Sequence, residues 1–153
     1  SSGLKDRISN VVVMMKFLMK ADGPHDVLEE GKKNSLMHLR FNEINKKREK
    51  LILKAKDCVE GNVLFFEYAG DVSMSSDLSN ELNYLYPDKI VVVVYISGER
   101  ANLSLRGKNV RDILDRAKKE IEGVRGGGHE MAVGAQMNFK DIDKFKKIVK
   151  EMS

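Results

Sequence analysis

The chain of 153 residues carries 27 lysines and arginines against 23 aspartates and glutamates, no tryptophan and one cysteine. That length suits one substantial core with an attached helical piece, and the lone Cys58 excludes an internal disulfide or a cysteine-rich zinc site. A net charge of +4 falls well short of the dense basic stripe of a dedicated nucleic-acid binder. With no visible signal peptide, and with the apolar run of the first helix stopping after Val11 to Met15, the expectation is a soluble cytoplasmic protein without membrane contact.

Apolar residues at Leu4, Ile8, Val11, Val12, Met15, Leu18 and Met19 keep helical spacing and predict a helix with a wide buried face, ended by Asp22-Gly23-Pro24. Pro24 suits the first turn of a short helix through Leu28. His25 and Asp26 within it read as an exposed histidine and a helix-start acid, because no second ligand pair stands at useful spacing for a metal. From Ser35 to Cys58 the chain is polar and helical, with Met37, Ile44, Leu51 and Cys58 recurring every seven residues and Phe41 and Ala55 beside them. Such a thin stripe suits a connector that touches partners on one side. The basic run from Asn45 to Lys50 reads as a solvated face, with Glu43 and Lys47 at the i,i+4 spacing of an ion pair.

Gly61 breaks that helix, and Val63-Leu64-Phe65-Phe66 with Tyr68 predicts a strand. Ser75-Ser76-Asp77 offers an N-cap and a first-turn acid for a helix bearing Leu78, Leu82, Leu85 and Tyr86, which Pro87 stops. Ile90 to Ile96 is a continuous β-branched run, the mark of a strand buried on both faces. The turn at Ser97-Gly98-Glu99-Arg100 then sends the next strand back antiparallel. In that strand Ala101, Leu103 and Leu105 face one way and Asn102, Ser104 and Arg106 the other. An arginine at a strand end binds phosphate or carboxylate bidentately, and it is also a common solvated edge residue.

Asn109 caps a predicted helix with Val110, Ile113, Leu114, Ala117 and Ile121 on one face. A loop built on Gly126-Gly127-Gly128 follows, then a short strand from Gly134 to Phe139. Asp141 caps a terminal helix that buries Ile142, Phe145, Ile148, Val149 and Met152, with Asp143 as its first-turn acid. This order predicts an α/β fold, a mixed β-sheet of four to five strands packed with helices. It is preceded by a helical N-terminal segment, with the division at 1–60 and 61–153.

Charge follows the same division loosely. Residues 1–60 carry 13 basic and 9 acidic groups, residues 61–100 carry 2 and 6, and residues 101–153 carry 12 and 8. The glycine run therefore lies in a basic third. Three consecutive glycines forfeit side-chain contacts, but they let backbone N–H groups close on an anion. Arg125 and His129 place donors at both ends. A flexible connector has the same composition, and composition does not separate the two readings.

The string Gly126-Gly127-Gly128-His129-x-x-Ala132-x-Gly134-Ala135 resembles the signature near the C-terminus of the DHHA1 domain, the accessory domain of DHH phosphoesterases. Ser104-Leu105-Arg106-Gly107 is similar to the S-x-R-S/G element that precedes it in that family. With SDLSNELNYLYPDK at residues 76–89, the three in this order resemble most the archaeal RecJ-like exonuclease branch. The resemblance implies a parent protein whose upstream DHH catalytic domain holds Mn2+ or Mg2+ to activate water on a phosphodiester. It also implies an accessory domain that grips single-stranded nucleic acid, a short oligonucleotide or a nucleotide phosphate. Carried onto this chain, Ser104 and Arg106 contact phosphate, Gly126, Gly127 and Gly128 supply backbone donors, and His129 adds a side-chain donor. No Asp-His-His triplet occurs here, so the chain is expected to bind rather than cleave and to hold no cofactor or metal of its own. Two alternatives stand beside this reading. One is a non-catalytic scaffold among replication proteins, docking through the helix at 35–58; the other is an RNA-binding domain like the C-terminal domain of alanyl-tRNA synthetase.

Overall fold

The structure, a computed structural model, describes residues 8–32 and 34–153, so the expected contribution of Leu4 to the first helix lies outside the described residues. The chain divides into two compact units between Lys50 and Leu51. The first unit holds α1 (Ile8–Leu18), α2 (Pro24–Leu28) and most of α3 (Ser35–Lys56), which continues into the second. The wide buried face expected of α1 is not found. Met14 is its buried residue, while Ile8, Val12, Met15, Leu18 and the following Met19 are exposed. Val11 to Met15 is apolar without a break and exceeds one helical turn, so spacing alone could not choose a face. After α2, the buried Asn34 closes the chain on itself: its amide donates to the carbonyls of Asp26 and Glu29, both at 2.8 Å, and its Oδ1 accepts from the Gly31 N–H at 2.7 Å. The long helix also ends earlier than expected, so Cys58 lies beyond it, and its buried positions are Ile44, Ile52 and Ala55.

In the second unit the chain runs β1 (Val59–Glu60), β2 (Val63–Ala69), α4 (Ser75–Leu85), β3 (Ile90–Ser97), β4 (Arg100–Arg106), α5 (Val110–Glu120), β5 (Arg125–His129), β6 (Ala132–Asn138) and α6 (Ile142–Glu151). The fold is the mixed α/β class expected, but the sheet has six strands rather than four to five, in the order β1-β2-β3-β4-β6-β5. β2 and β3 are parallel and joined through α4, as a parallel pair requires. The β3–β4 return is antiparallel, with Val94 opposite Leu103.

One sheet face is the core. Phe65, Val92, Val94, Leu103, Leu105 and Val133 pack against Ile113, Leu114 and Ala117 of α5 and against Phe145, Ile148 and Val149 of α6. The other face is covered by α4 over β3 and β4, where Leu78 and Leu82 are fully buried. Burial on both sides accounts for the run of valines in β3, of which Val91 to Val94 have no exposure.

Capping differs from expectation at all three predicted caps. Met74, not a serine, holds the N-cap position of α4, and its N–H is taken by the Tyr68 hydroxyl at 2.6 Å. Burial pushes the Tyr68 phenol up to about 12, so it stays protonated. Asn109 precedes α5 in a left-handed conformation with no side-chain cap bond. Asp141 makes none either; Asn138 Oδ1 instead accepts from the Lys140 N–H at 3.0 Å, in the single turn before α6.

Candidate functional site

The glycine run is not a loop. Gly126, Gly127 and Gly128 lie inside β5, an edge strand antiparallel to β6, and the turn between them is Glu130-Met131. β6 accordingly starts at Ala132 rather than Gly134. Register then fixes what lies beside what. His129, Ala132, Arg106 and Val91 form one cross-strand row. Two residues along, Gly127, Gly134, Ser104 and Val93 form the next, and Arg125, Gln136, Asn102 and Tyr95 a third. Because side chains alternate, all three rows share the sheet face that carries α4. Ser104, Arg106, Gly127 and His129 thus come to one surface, with His129 and Arg106 two strand spacings, or about 10 Å, apart at the backbone.

Gly126 and Gly128 belong elsewhere. They adopt φ of +157° and +152°, and a Cβ at either would lie 2.3 Å from the Gly134 oxygen or 2.2 Å from the Ala132 oxygen. Their carbonyls are also occupied: Lys118 Nζ donates to Gly126 at 2.8 Å and Arg111 Nη1 to Gly128 at 2.7 Å. These two glycines are required by the close approach of β5 and β6, and cations from α5 cover part of the exposed edge. Gly127 and Gly134 differ, because a Cβ at either position would meet nothing within 4 Å.

Arg106 is half-buried against α4. Its Nε donates to Asn80 Oδ1 at 2.7 Å, Nη1 to the Leu105 carbonyl at 2.8 Å and Nη2 to Ser76 Oγ at 3.4 Å. Burial draws its pKa below the ordinary arginine value, yet a guanidinium keeps its charge in proteins. Ser104 is buried, and its hydroxyl donates to Ser75 Oγ at 3.2 Å. The serines predicted to cap α4 therefore position the strand residues instead. His129 is exposed, and its imidazole makes no hydrogen bond among the described residues. Gly107, which ends the Ser-Leu-Arg-Gly element, has φ of +115°, and a Cβ there would lie 2.6 Å from the Lys89 carbonyl. It is a packing glycine, and its N–H is bonded to the Met131 carbonyl in the hairpin turn at 3.1 Å.

Sequence reading took Ser75 and Ser76 as cap residues and Asn80 only as part of the 76–89 string, because their partners lie 26 to 30 positions later. It missed the third row, where Gln136 Nε2 donates to Asn102 Oδ1 at 2.9 Å. Period-2 alternation of Asn102, Ser104 and Arg106 could have found part of it.

The DHHA1 domain model matches residues 60–153. This chain belongs to the DHHA1 domain family. The DHHA1 domain is the accessory domain of DHH phosphoesterases, and the rows above are the geometry that its sequence signature takes here. No curated protein matches the chain. Among solved structures it resembles RecJ from Thermus thermophilus in complex with Mg2+, at 14% identity and a TM-score of 0.64. That match covers 95% of this chain and 23% of the RecJ chain. The Mn2+ complex of the same protein gives a TM-score of 0.63 at 14% identity, covering 99% and 22%. The C-Ala domain of Aquifex aeolicus alanyl-tRNA synthetase matches at a TM-score of 0.45 and 13% identity, over 57% of this chain and 89% of that domain. At 14% identity the likeness to RecJ is one of fold, and the chain spans less than a quarter of the RecJ chain.

Among the described residues no group of three or more His, Cys, Asp or Glu is placed to hold a metal ion. The Mg2+ or Mn2+ named with RecJ has no such donor set among these residues. No described helix is long and apolar enough to cross a membrane.

Proposed function

We propose that this DHHA1 domain is the substrate-gripping module of a DHH-family phosphoesterase, holding a phosphate of single-stranded nucleic acid or a short oligonucleotide on the face formed by Ser104, Arg106, Gly127 and His129. One observation carries the reading: Gly127 and Gly134 are paired side by side with open space above both. Packing does not demand glycine at either position, whereas a phosphate lying against the strand does. The bare patch is bordered by the fixed guanidinium of Arg106 and the exposed imidazole of His129. Asn80 and Ser76 hold the guanidinium, so little side-chain entropy remains to be lost on binding. Chemistry on the phosphodiester falls to a separate metal-bearing DHH domain.

This reading keeps Arg106 and His129 as side-chain contacts, leaves the buried Ser104 as a positioning residue bonded to Ser75, and narrows the glycine contribution to Gly127. Titration with a 5′-phosphorylated single-stranded oligonucleotide at two salt concentrations tests it. Binding is expected to weaken with salt, and Arg106→Ala to weaken it about tenfold or more. The same variant should flatten the log–log salt slope by about 0.7, one phosphate's worth on a single strand. Unchanged affinity and slope in Arg106→Ala remove Arg106 from the site. Absence of any binding at both salts returns the domain to a scaffold role.

A further inference from the structure

The second unit contains five arginines, and the structure separates them sharply. Arg106 is held by Asn80 and Ser76, Arg111 by Asp115 and the Gly128 carbonyl, and Arg116 by Glu120 and Glu151. The side chains of Arg100 and Arg125 have no hydrogen-bond or ion-pair partner among the described residues. These two unengaged guanidinium groups line the same pocket, at the end of the sheet opposite His129. Gln136 and Asn138 line it with them, as does Glu99 from the β3–β4 turn. The pairings place them together: Arg100 is opposite Asn138, and Arg125 is opposite Gln136.

We propose that Arg100 and Arg125, with the Gln136 and Asn138 amides, form a second phosphate site that takes a further backbone phosphate of the strand gripped at Arg106. The inference rests on the reading of the Arg106 face given above and extends it toward substrate length. Arg100, Asn102, Ser104 and Arg106 alternate onto one face, as do Arg125, Gly127 and His129, so the two sites bound a single continuous surface. Arg125 and His129 are four residues apart, about 13 Å along an extended strand. Phosphates of a stacked single strand advance about 3.4 Å each along the axis. The separation therefore suits an oligonucleotide of a few residues and exceeds what one mononucleotide reaches. Between the sites lies the side-chain-free floor of Gly127 and Gly134, with the Asn102–Gln136 amide pair beyond it. The Glu99 carboxylate opposes an anion and leaves the pocket with one net positive charge, so it weakens this second contact without cancelling it.

The test is a length series of 5′-phosphorylated single-stranded oligonucleotides, from one to six residues, titrated against the whole chain at low salt. Wild type is expected to gain about tenfold in affinity as the strand becomes long enough to reach the second site. Arg100→Ala/Arg125→Ala should abolish that gain while leaving mononucleotide affinity unchanged, and Glu99→Gln should enlarge it. Lys119→Ala/Lys147→Ala removes equal charge from α5 and α6, and should leave the length dependence intact. Equal loss in both double variants reduces the effect to net charge and overturns the proposal, as does a wild-type length dependence that survives Arg100→Ala/Arg125→Ala. Failure of the Arg106 reading looks different: Arg106→Ala then leaves mononucleotide binding untouched. No wild-type binding at any length overturns both.

Discussion

On the face of the sheet toward α5 and α6, Gly126 and Gly128 sit where any side chain would strike the backbone of β6, while on the opposite face Gly127 and Gly134 look into open space. The four glycines occupy one hairpin and one sequence signature, yet two physical demands chose them. The first pair is a requirement of folding, fixed by the approach of two strands and by the carbonyl bonds to Lys118 and Arg111. The second pair has no such explanation, and it lies beside Arg106 and Ser104. The same division runs across β6 and β5: the face toward α5 and α6 is dry and tightly filled, and the other face, past the edge of α4, is polar and open. Stability and binding should therefore respond to substitutions on different faces.

The strongest way to break this division is from the packed side. Phe145 of α6 is fully buried in the core, with its ring 6.4 Å from that of Phe65. Phe145→Ala is expected to cost about 3–5 kcal/mol of unfolding free energy by urea titration. Oligonucleotide affinity of the remaining folded fraction should be unchanged; a loss of affinity would show that the two faces are coupled. Gly128→Ala comes next, at about 2–3 kcal/mol, because its Cβ meets backbone rather than a flexible side chain and its φ disfavours any other residue. A Gly128→Ala protein as stable as wild type would mean that the hairpin relaxes without cost, and that the structural role assigned to this glycine is wrong.

Most of the packed face was legible in the sequence. The β-branched run of β3 announced burial on both sides, the alternation of β4 gave both of its faces, and the apolar faces of α5 and α6 fell at helical spacing. What failed was of three kinds. The edge strand β5 carries three glycines, which have little strand propensity and read as a loop until β6 is placed beside them. β1 is two residues long and leaves no pattern. The α4 serines bind across the fold, from Ser75 to Ser104 and from Ser76 to Arg106, and a local cap was the only reading available to a sequence window. For the proposed site, the family resemblance pointed to Ser104, Arg106 and His129, which the strand register brings to one sheet face. Separating Gly127 from its two neighbours needed the strand register.

The smallest expected change in stability gives the sharpest test of the comparison. Gly127→Val places a branched side chain where no atom lies within 4 Å, on an extended strand that favours β-branched residues. Unfolding free energy should shift by no more than about 1 kcal/mol, the span of strand propensity. Oligonucleotide affinity should nevertheless fall about tenfold or more, because the side chain fills the floor on which the phosphate lies. The two measurements decide separate matters. A destabilisation matching that of Gly128→Ala would make Gly127 another folding glycine and remove the contrast between the pairs. A stable Gly127→Val protein that binds as tightly as wild type would leave the open glycines without a ligand. A stable protein that cannot bind is the outcome that only an approaching substrate explains, because an added Cβ there meets no described residue within 4 Å.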